Sequence, residues 1–136
     1  MDIDDLATRL WSARRDGMDA QVRPDDVLLT NDEAYRLQHN YVRISGQART
    51  GWKVAATNAP MQENLGLSEP FAGPLLEDFT LQSPATCALV AHQAAIVEVE
   101  FVFRMGVDFV PKQPDSIDAL CDAVDAVCAG IEVAGT

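Results

Sequence analysis

Two glutamates one residue apart are the side chains best placed to do chemistry. Glu98-Val99-Glu100 lies inside an otherwise apolar run, 95–104, of Ala-Ile-Val-Glu-Val-Glu-Phe-Val-Phe-Arg. A strand's period of two sends both carboxylates to one face, while Val97, Val99, Phe101 and Phe103 take the other. Like charges side by side in a partly desolvated place are costly unless one is protonated or a cation neutralises them. A third acid, Glu132, is embedded in a second short β-like run, Ile131-Glu132-Val133. Three carboxylates favour a hard, oxygen-preferring ion: Mg²⁺, which keeps several waters, or Mn²⁺ in its place, whereas zinc would recruit His or Cys. The pattern therefore predicts a buried acidic metal site. It also fits a bland alternative, in which the glutamates alternate along a strand whose polar face is open to water.

The remaining reactive residues add little. His92, the nearest imidazole in sequence, reads as a loop residue, and His39 as a helix-surface or packing residue. Cys87, Cys121 and Cys128 are an odd number with no CxxC spacing, so neither a disulfide framework nor a zinc ribbon is indicated, and a reducing cytoplasm is expected. Cys121 and Cys128, seven apart on an apolar stripe, are expected in a core. With 10 basic against 21 acidic residues, the formal charge of −11 repels phosphate backbones and anionic lipid, so neither nucleic acid nor a membrane surface is an expected partner. An anionic substrate would need a metal ion or a placed Lys or Arg to hold it. The N-terminus lacks the layout of a signal peptide, and no apolar run approaches the roughly 20 residues of a membrane span.

The elements that must position these residues follow from periodicity. Ile3, Leu6, Leu10 and Trp11 form one helical stripe, with Asp4 and Asp5 in its opening turn, Arg14 and Arg15 near its end and Gly17 as its stop. Thr30 and Glu33 form a capping-box pattern before a second helix through Ala34, Leu37, Tyr41, Ile44 and Ala48. Residues 51–57 read as a strand carrying Lys53 that enters a turn at Asn58, Ala59 and Pro60. A short helix from Met61 to Leu65 ends at Gly66, and a loop with Pro70, Gly73 and Pro74 follows. Short strands and turns are expected between Pro84 and Ala94, then the long strand at 95–104 and a loop at Pro111 and Pro114. The sequence then predicts an amphipathic helix through Ile117, Leu120, Cys121, Val124, Val127 and Cys128 that stops at Gly130, and a final strand from Ile131. The fold class is α+β, with a helical region over 1–50 and a β-rich region over 51–136. At 136 residues and 48% apolar content the chain is long enough to enclose a core.

Taken together, Gly51-x-Lys53-x-Ala55-x-Thr57, Gln62-x-x-Leu65-Gly66, Pro70-x-x-Gly73, Glu98-x-Glu100 and Ile131-Glu132-Val133 resemble the fumarylacetoacetate hydrolase superfamily. Within it the pattern is most similar to the 2-oxopent-4-enoate hydratase and 4-oxalocrotonate decarboxylase branch of aromatic-ring catabolism. The resemblance implies a mixed β-rich catalytic fold, with Glu98, Glu100 and Glu132 as the protein ligands of Mg²⁺ or Mn²⁺ and Lys53 in the active site. It also implies a small 2-oxo acid as substrate, bound beside Thr57 and Gly73, and a homo-oligomer. A 2-oxo acid chelates such an ion through its carboxylate and 2-oxo oxygens, which offsets charge as an enolate develops. Hydration of a 2-hydroxydienoate or 2-oxo-4-enoate is the expected reaction. Decarboxylation, C–C hydrolysis and a non-catalytic binding module are the alternatives.

Two positions depart from the branch. Phe71 stands where hydratases often carry an acid, leaving Glu69 as the candidate for proton transfer, and Ala55 replaces a glycine. Members of the branch run to roughly twice this length, so the sequence is expected to be the first part of a longer catalytic protein.

Overall fold

The computed structural model describes residues 2–27, 30–89, 94–109 and 116–134. They form α1 (Ile3–Asp16), a 3₁₀ turn (Pro24–Val27), α2 (Asn31–Ser45), β1 (Arg49–Ala55), α3 (Ala59–Leu65), β2 (Phe71–Leu76), a second 3₁₀ turn (Glu77–Phe79), β3 (Ile96–Met105), α4 (Ile117–Asp122) and β4 (Val124–Ala134). This is an α+β composition of helices and two antiparallel hairpins, β1–β2 and β3–β4. The chain divides into two units, Met1–Thr86 and Cys87–Thr136. His92, Pro111 and Pro114 lie outside the described residues.

The helices of the first unit begin and end where local chemistry dictates. The Asp2 carboxylate accepts from the backbone N–H groups of Asp4 and Asp5 at 3.0 and 3.2 Å, satisfying donors that a first turn leaves open. Gly17 closes α1 in the left-handed region at φ 62°. At α2 the capping box forms in both directions: Glu33 N–H donates to Thr30 Oγ1 at 3.3 Å, and Thr30 N–H donates to Glu33 Oε2 at 2.9 Å. The helix ends at Ser45 with Gly46 at φ 68°, short of Ala48, which the apolar spacing had included.

A small core joins these helices to the first hairpin. Leu6, Ala7, Trp11 and Leu76 are buried. The Trp11 ring meets Tyr41 edge-on at 5.6 Å between centroids and Phe79 at 6.3 Å, a geometry the ring quadrupoles favour. Burial pushes the Tyr41 phenol up. Asp26 is buried but well served, accepting from Arg23 N–H at 2.7 Å and from the Arg9 guanidinium at 2.9 Å. Those donors, the Arg23 N–H first, hold its carboxyl below the usual range.

Pro70 lies in a loop as expected, but Gly73 and Pro74, expected in the same loop, belong to β2, which pairs antiparallel with β1 so that Lys53 faces Gly73 and Trp52 faces Pro74. Both strands of a two-stranded sheet are edges, so a proline that lacks an N–H is tolerated there. Helix α2 also holds β2 in place: Gln38 Nε2 donates to Ala72 O at 3.1 Å, and Ala72 N–H donates to the Tyr35 hydroxyl at 3.4 Å.

In the second unit, β3 occupies the span expected from its alternation. The helix expected from Ile117 to Gly130 is cut short, because α4 stops at Asp122 and the chain enters the eleven-residue β4. Val124, Val127, Cys128 and Ile131 satisfy a helical stripe in sequence. Their β-branched members and Gly130 are nevertheless poor helix formers, and ten of the residues of β4 find partners along the whole of β3. Cys121 and Cys128 are exposed, not in a core. Between Pro84 and Ala94, where short strands and turns were expected, no strand occurs among the described residues.

Candidate functional site

The β3–β4 register decides where the acids stand. Glu98 pairs directly with Glu132, and Glu100 with Gly130. Cross-strand partners share a face, and so do residues two apart, so all three carboxylates project from one side of the hairpin. One carboxylate oxygen from each of Glu98, Glu100 and Glu132 lies within 4.8 Å of the other two. The thirty-odd residues between Glu100 and Glu132 in sequence are closed by strand pairing alone.

The trio is less buried than the sequence predicts. Glu98 is exposed and Glu100 and Glu132 are half-buried. Water therefore screens part of their repulsion, and crowding by itself does not demand a cation. The donor chemistry does suit one. Carboxylate oxygens within 4.8 Å of one another on three flexible glutamates are near enough to serve together as ligands of one Mg²⁺ ion, which takes oxygen donors at about 2.1 Å. Oxygen donors alone fit a hard ion, and neither His nor Cys belongs to the cluster among the described residues.

The opposite side of the hairpin is apolar: Val97, Val99, Phe101 and Phe103 are all more than half exposed among the described residues, with Phe101 at 83%.

Within the first unit, Lys53 is half-buried in β1 on the same face as Gly51 and Ala55, and it stands opposite Gly73. No side chain at Gly73 crowds the lysine, and a Cβ there would meet nothing within 4 Å. Thr57 is exposed just beyond the strand, and Glu69 is exposed in the turn before β2. Between Lys53 and Thr57 the chain turns at Ala56, a buried non-glycine residue at φ 55°. That conformation costs about 1 kcal/mol or more and persists where surrounding contacts impose it. Gln62 Nε2 supplies one, donating to Ala56 O at 2.7 Å, while the Asn58 carboxamide caps α3 by accepting from Met61 N–H at 3.0 Å. The sequence marked Gln62 only as part of a pattern; the structure shows it bracing the turn that follows Lys53.

No protein-family model matches the chain. Two curated proteins align with it over 138 residues at 32% identity: the 2-keto-4-pentenoate hydratase of Paraburkholderia xenovorans (strain LB400) and the 2-keto-4-pentenoate hydratase 3 of Pseudomonas putida. The chain belongs to the hydratase branch of the fumarylacetoacetate hydrolase superfamily. Each alignment takes in 98% of the chain and 51% of the relative, so the chain spans about half the length of the curated relatives it matches. For a member of this superfamily the convergent trio is the feature with most chemical content. One residue beside it went unnoticed in the sequence: Gly130, read as a helix stop, is a strand residue facing Glu100. Among the described residues, no helix is long and apolar enough to cross a membrane.

Proposed function

We propose that the polypeptide serves as a divalent-metal-dependent hydro-lyase that hydrates a 2-hydroxydienoate or its 2-oxo-4-enoate tautomer, of the kind formed in aromatic-ring catabolism. The observation that carries this is the convergence of Glu98, Glu100 and Glu132 on one sheet face, within 4.8 Å of one another, in a chain whose relatives are named 2-keto-4-pentenoate hydratases.

In this reading the three glutamates hold Mg²⁺ or Mn²⁺, which when bound supplies Lewis acidity to the carboxylate and 2-oxo oxygens of the acid. Lys53 orients the anionic end of the substrate and holds a proton close to it. Its half-buried place in β1 supports that role. Glu69 provides an exposed carboxylate for proton transfer, and the Thr57 hydroxyl and the backbone at Gly73 contact the acid. The reaction is balanced without redox change. The enol proton leaves oxygen as another reaches the far end of the diene, and water then adds across the remaining conjugated double bond, its hydroxyl going to the distal carbon.

The reading extends to a homo-oligomer in the cytoplasm, with no nucleic acid or membrane as partner. The charge of −11 supports the second exclusion and the first, the free thiols of Cys87, Cys121 and Cys128 support a reducing compartment, and the exposed apolar row on β3 supports self-association. Sedimentation velocity showing only monomer would remove the oligomer.

Mn²⁺ titration into the protein and into a Glu98→Gln, Glu100→Gln variant tests the site. Saturable binding by the parent and its loss in the variant are expected, and equal, negligible binding by both removes the metal centre. Loss of the ultraviolet absorbance of a 2-hydroxydienoate with metal present tests the reaction. An unchanged absorbance alongside bound Mn²⁺ would leave a binding module and not an enzyme.

A further inference from the structure

The two cross-strand pairs Glu98–Glu132 and Glu100–Gly130 form a four-cornered array on one face of the β3–β4 hairpin, with carboxylates at three corners and no side chain at the fourth. Gly130 is not there for its backbone freedom. It is absent from the residues with positive φ, unlike Gly17, Gly46 and Gly66, so its conformation is one that any residue adopts. Space is what requires it. A Cβ at position 130 would lie 2.6 Å from Val102 Cγ2, well inside contact distance, and at an ordinary 4.0 Å from Glu100 Cβ. Val102 is two residues from Glu100 on the same face of β3.

We propose that Gly130 is a positioning residue of the acidic trio, and that its missing side chain lets β4 approach β3 closely enough for Glu100 to converge with Glu98 and Glu132. This rests on the reading of those acids as ion ligands. Relieving a 2.6 Å approach takes a movement of about 1 Å to reach van der Waals separation. Metal–ligand distances tolerate only about 0.2 Å, so a shift of that size at the Glu100–Gly130 pair is large on the scale that matters. The β-branched Val102 has few rotamers with which to escape, so much of the movement passes to the strand that bears Glu100.

The test is Mn²⁺ affinity, read by electron paramagnetic resonance, in the parent, Gly130→Ala, Val102→Ala and the double variant, with urea unfolding recorded in chelator. Gly130→Ala is expected to weaken Mn²⁺ binding about tenfold or more, the size seen when a residue supporting metal ligands is lost. Val102→Ala removes the atom that would be struck. It is expected to bind within about threefold of the parent, and the double variant is expected to recover to the same range. A purely structural role would lower the unfolding midpoint of Gly130→Ala without changing the affinity of its folded form. Parent-like binding by Gly130→Ala overturns the inference while the metal reading stands, as does a folded double variant that still fails to bind. A Gly130→Ala chain that cannot fold and is not rescued by Val102→Ala assigns the glycine to folding and also overturns it. Failure of the parent itself to bind Mn²⁺ overturns the metal reading, and this inference with it.

Discussion

The unit Met1–Thr86 and the unit Cys87–Thr136 divide stability and chemistry unevenly. Among the described residues the first holds nearly every buried apolar one: Leu6, Ala7, Trp11, Ala56 and Leu76, with capped helices and a part-buried Arg9–Asp26 pair around them. The second buries only Ala123 among its described apolar residues, yet it carries three converging carboxylates on one face of a hairpin and a row of exposed valines and phenylalanines on the other. A two-stranded sheet on its own is marginal, because it excludes little water from either face. The lesson is that the first unit is built from local signals that agree with each other, whereas the second is built from a single long pairing whose value lies in what it brings together.

The sharpest way to break this contrast is to truncate one aromatic in each unit. Trp11→Ala removes a buried ring in edge contact with Tyr41 and Phe79, and urea unfolding is expected to show a loss of about 3–5 kcal/mol. Phe101→Ala, at a position 83% exposed in the single chain, is expected to change the stability of the dissociated monomer by no more than about 0.5 kcal/mol. Comparable losses from the two would mean that the second unit has a core as demanding as the first.

Acid should act on the first unit through Asp26. Its carboxyl is held below the usual range by the Arg23 N–H and then by Arg9, so the stability it contributes is present above the unfolded carboxylate pKa of about 3.9 and is lost as pH falls through the lower folded value. Asp26→Asn should lower the melting temperature at neutral pH, and the gap from the parent should close as the solution is acidified. A gap independent of pH would show that shape and not charge matters at that position.

The smallest effect sharpens the contrast within the first unit. Thr30→Ala leaves the core untouched but deletes half of the capping box, and a loss of about 1 kcal/mol is expected from urea titration. A change of several kcal/mol would show that the helix start carries more of the unit than its core does.

Much of this was legible in residue order because it depends on neighbours. Asp4 and Asp5 in the opening turn of α1, Thr30 with Glu33, and the glycines at 17 and 66 act over one helical turn, so their spacing marks where helices start and stop, whereas the apolar spacing of α2 ran past its actual stop at Gly46. The alternation around Glu98 and Glu100 likewise placed β3. Residues 71–76 and 124–130 were misread because their outcome is set by a distant partner. Helix α2 and β1 make Phe71–Leu76 a strand, and β3 makes a strand of a segment whose apolar spacing fits a helix equally well.

The candidate site shows the same division. Sequence alone determined which residues have metal-ligand chemistry and that Glu98 and Glu100 share a face, since a strand's period is a property of the backbone. Only tertiary structure decided that Glu132 stands directly across from Glu98, that Gly130 fills the fourth corner and that the cluster lies partly open to water. Register and exposure arise from contacts between segments far apart in the chain, and local periodicity carries no information about them.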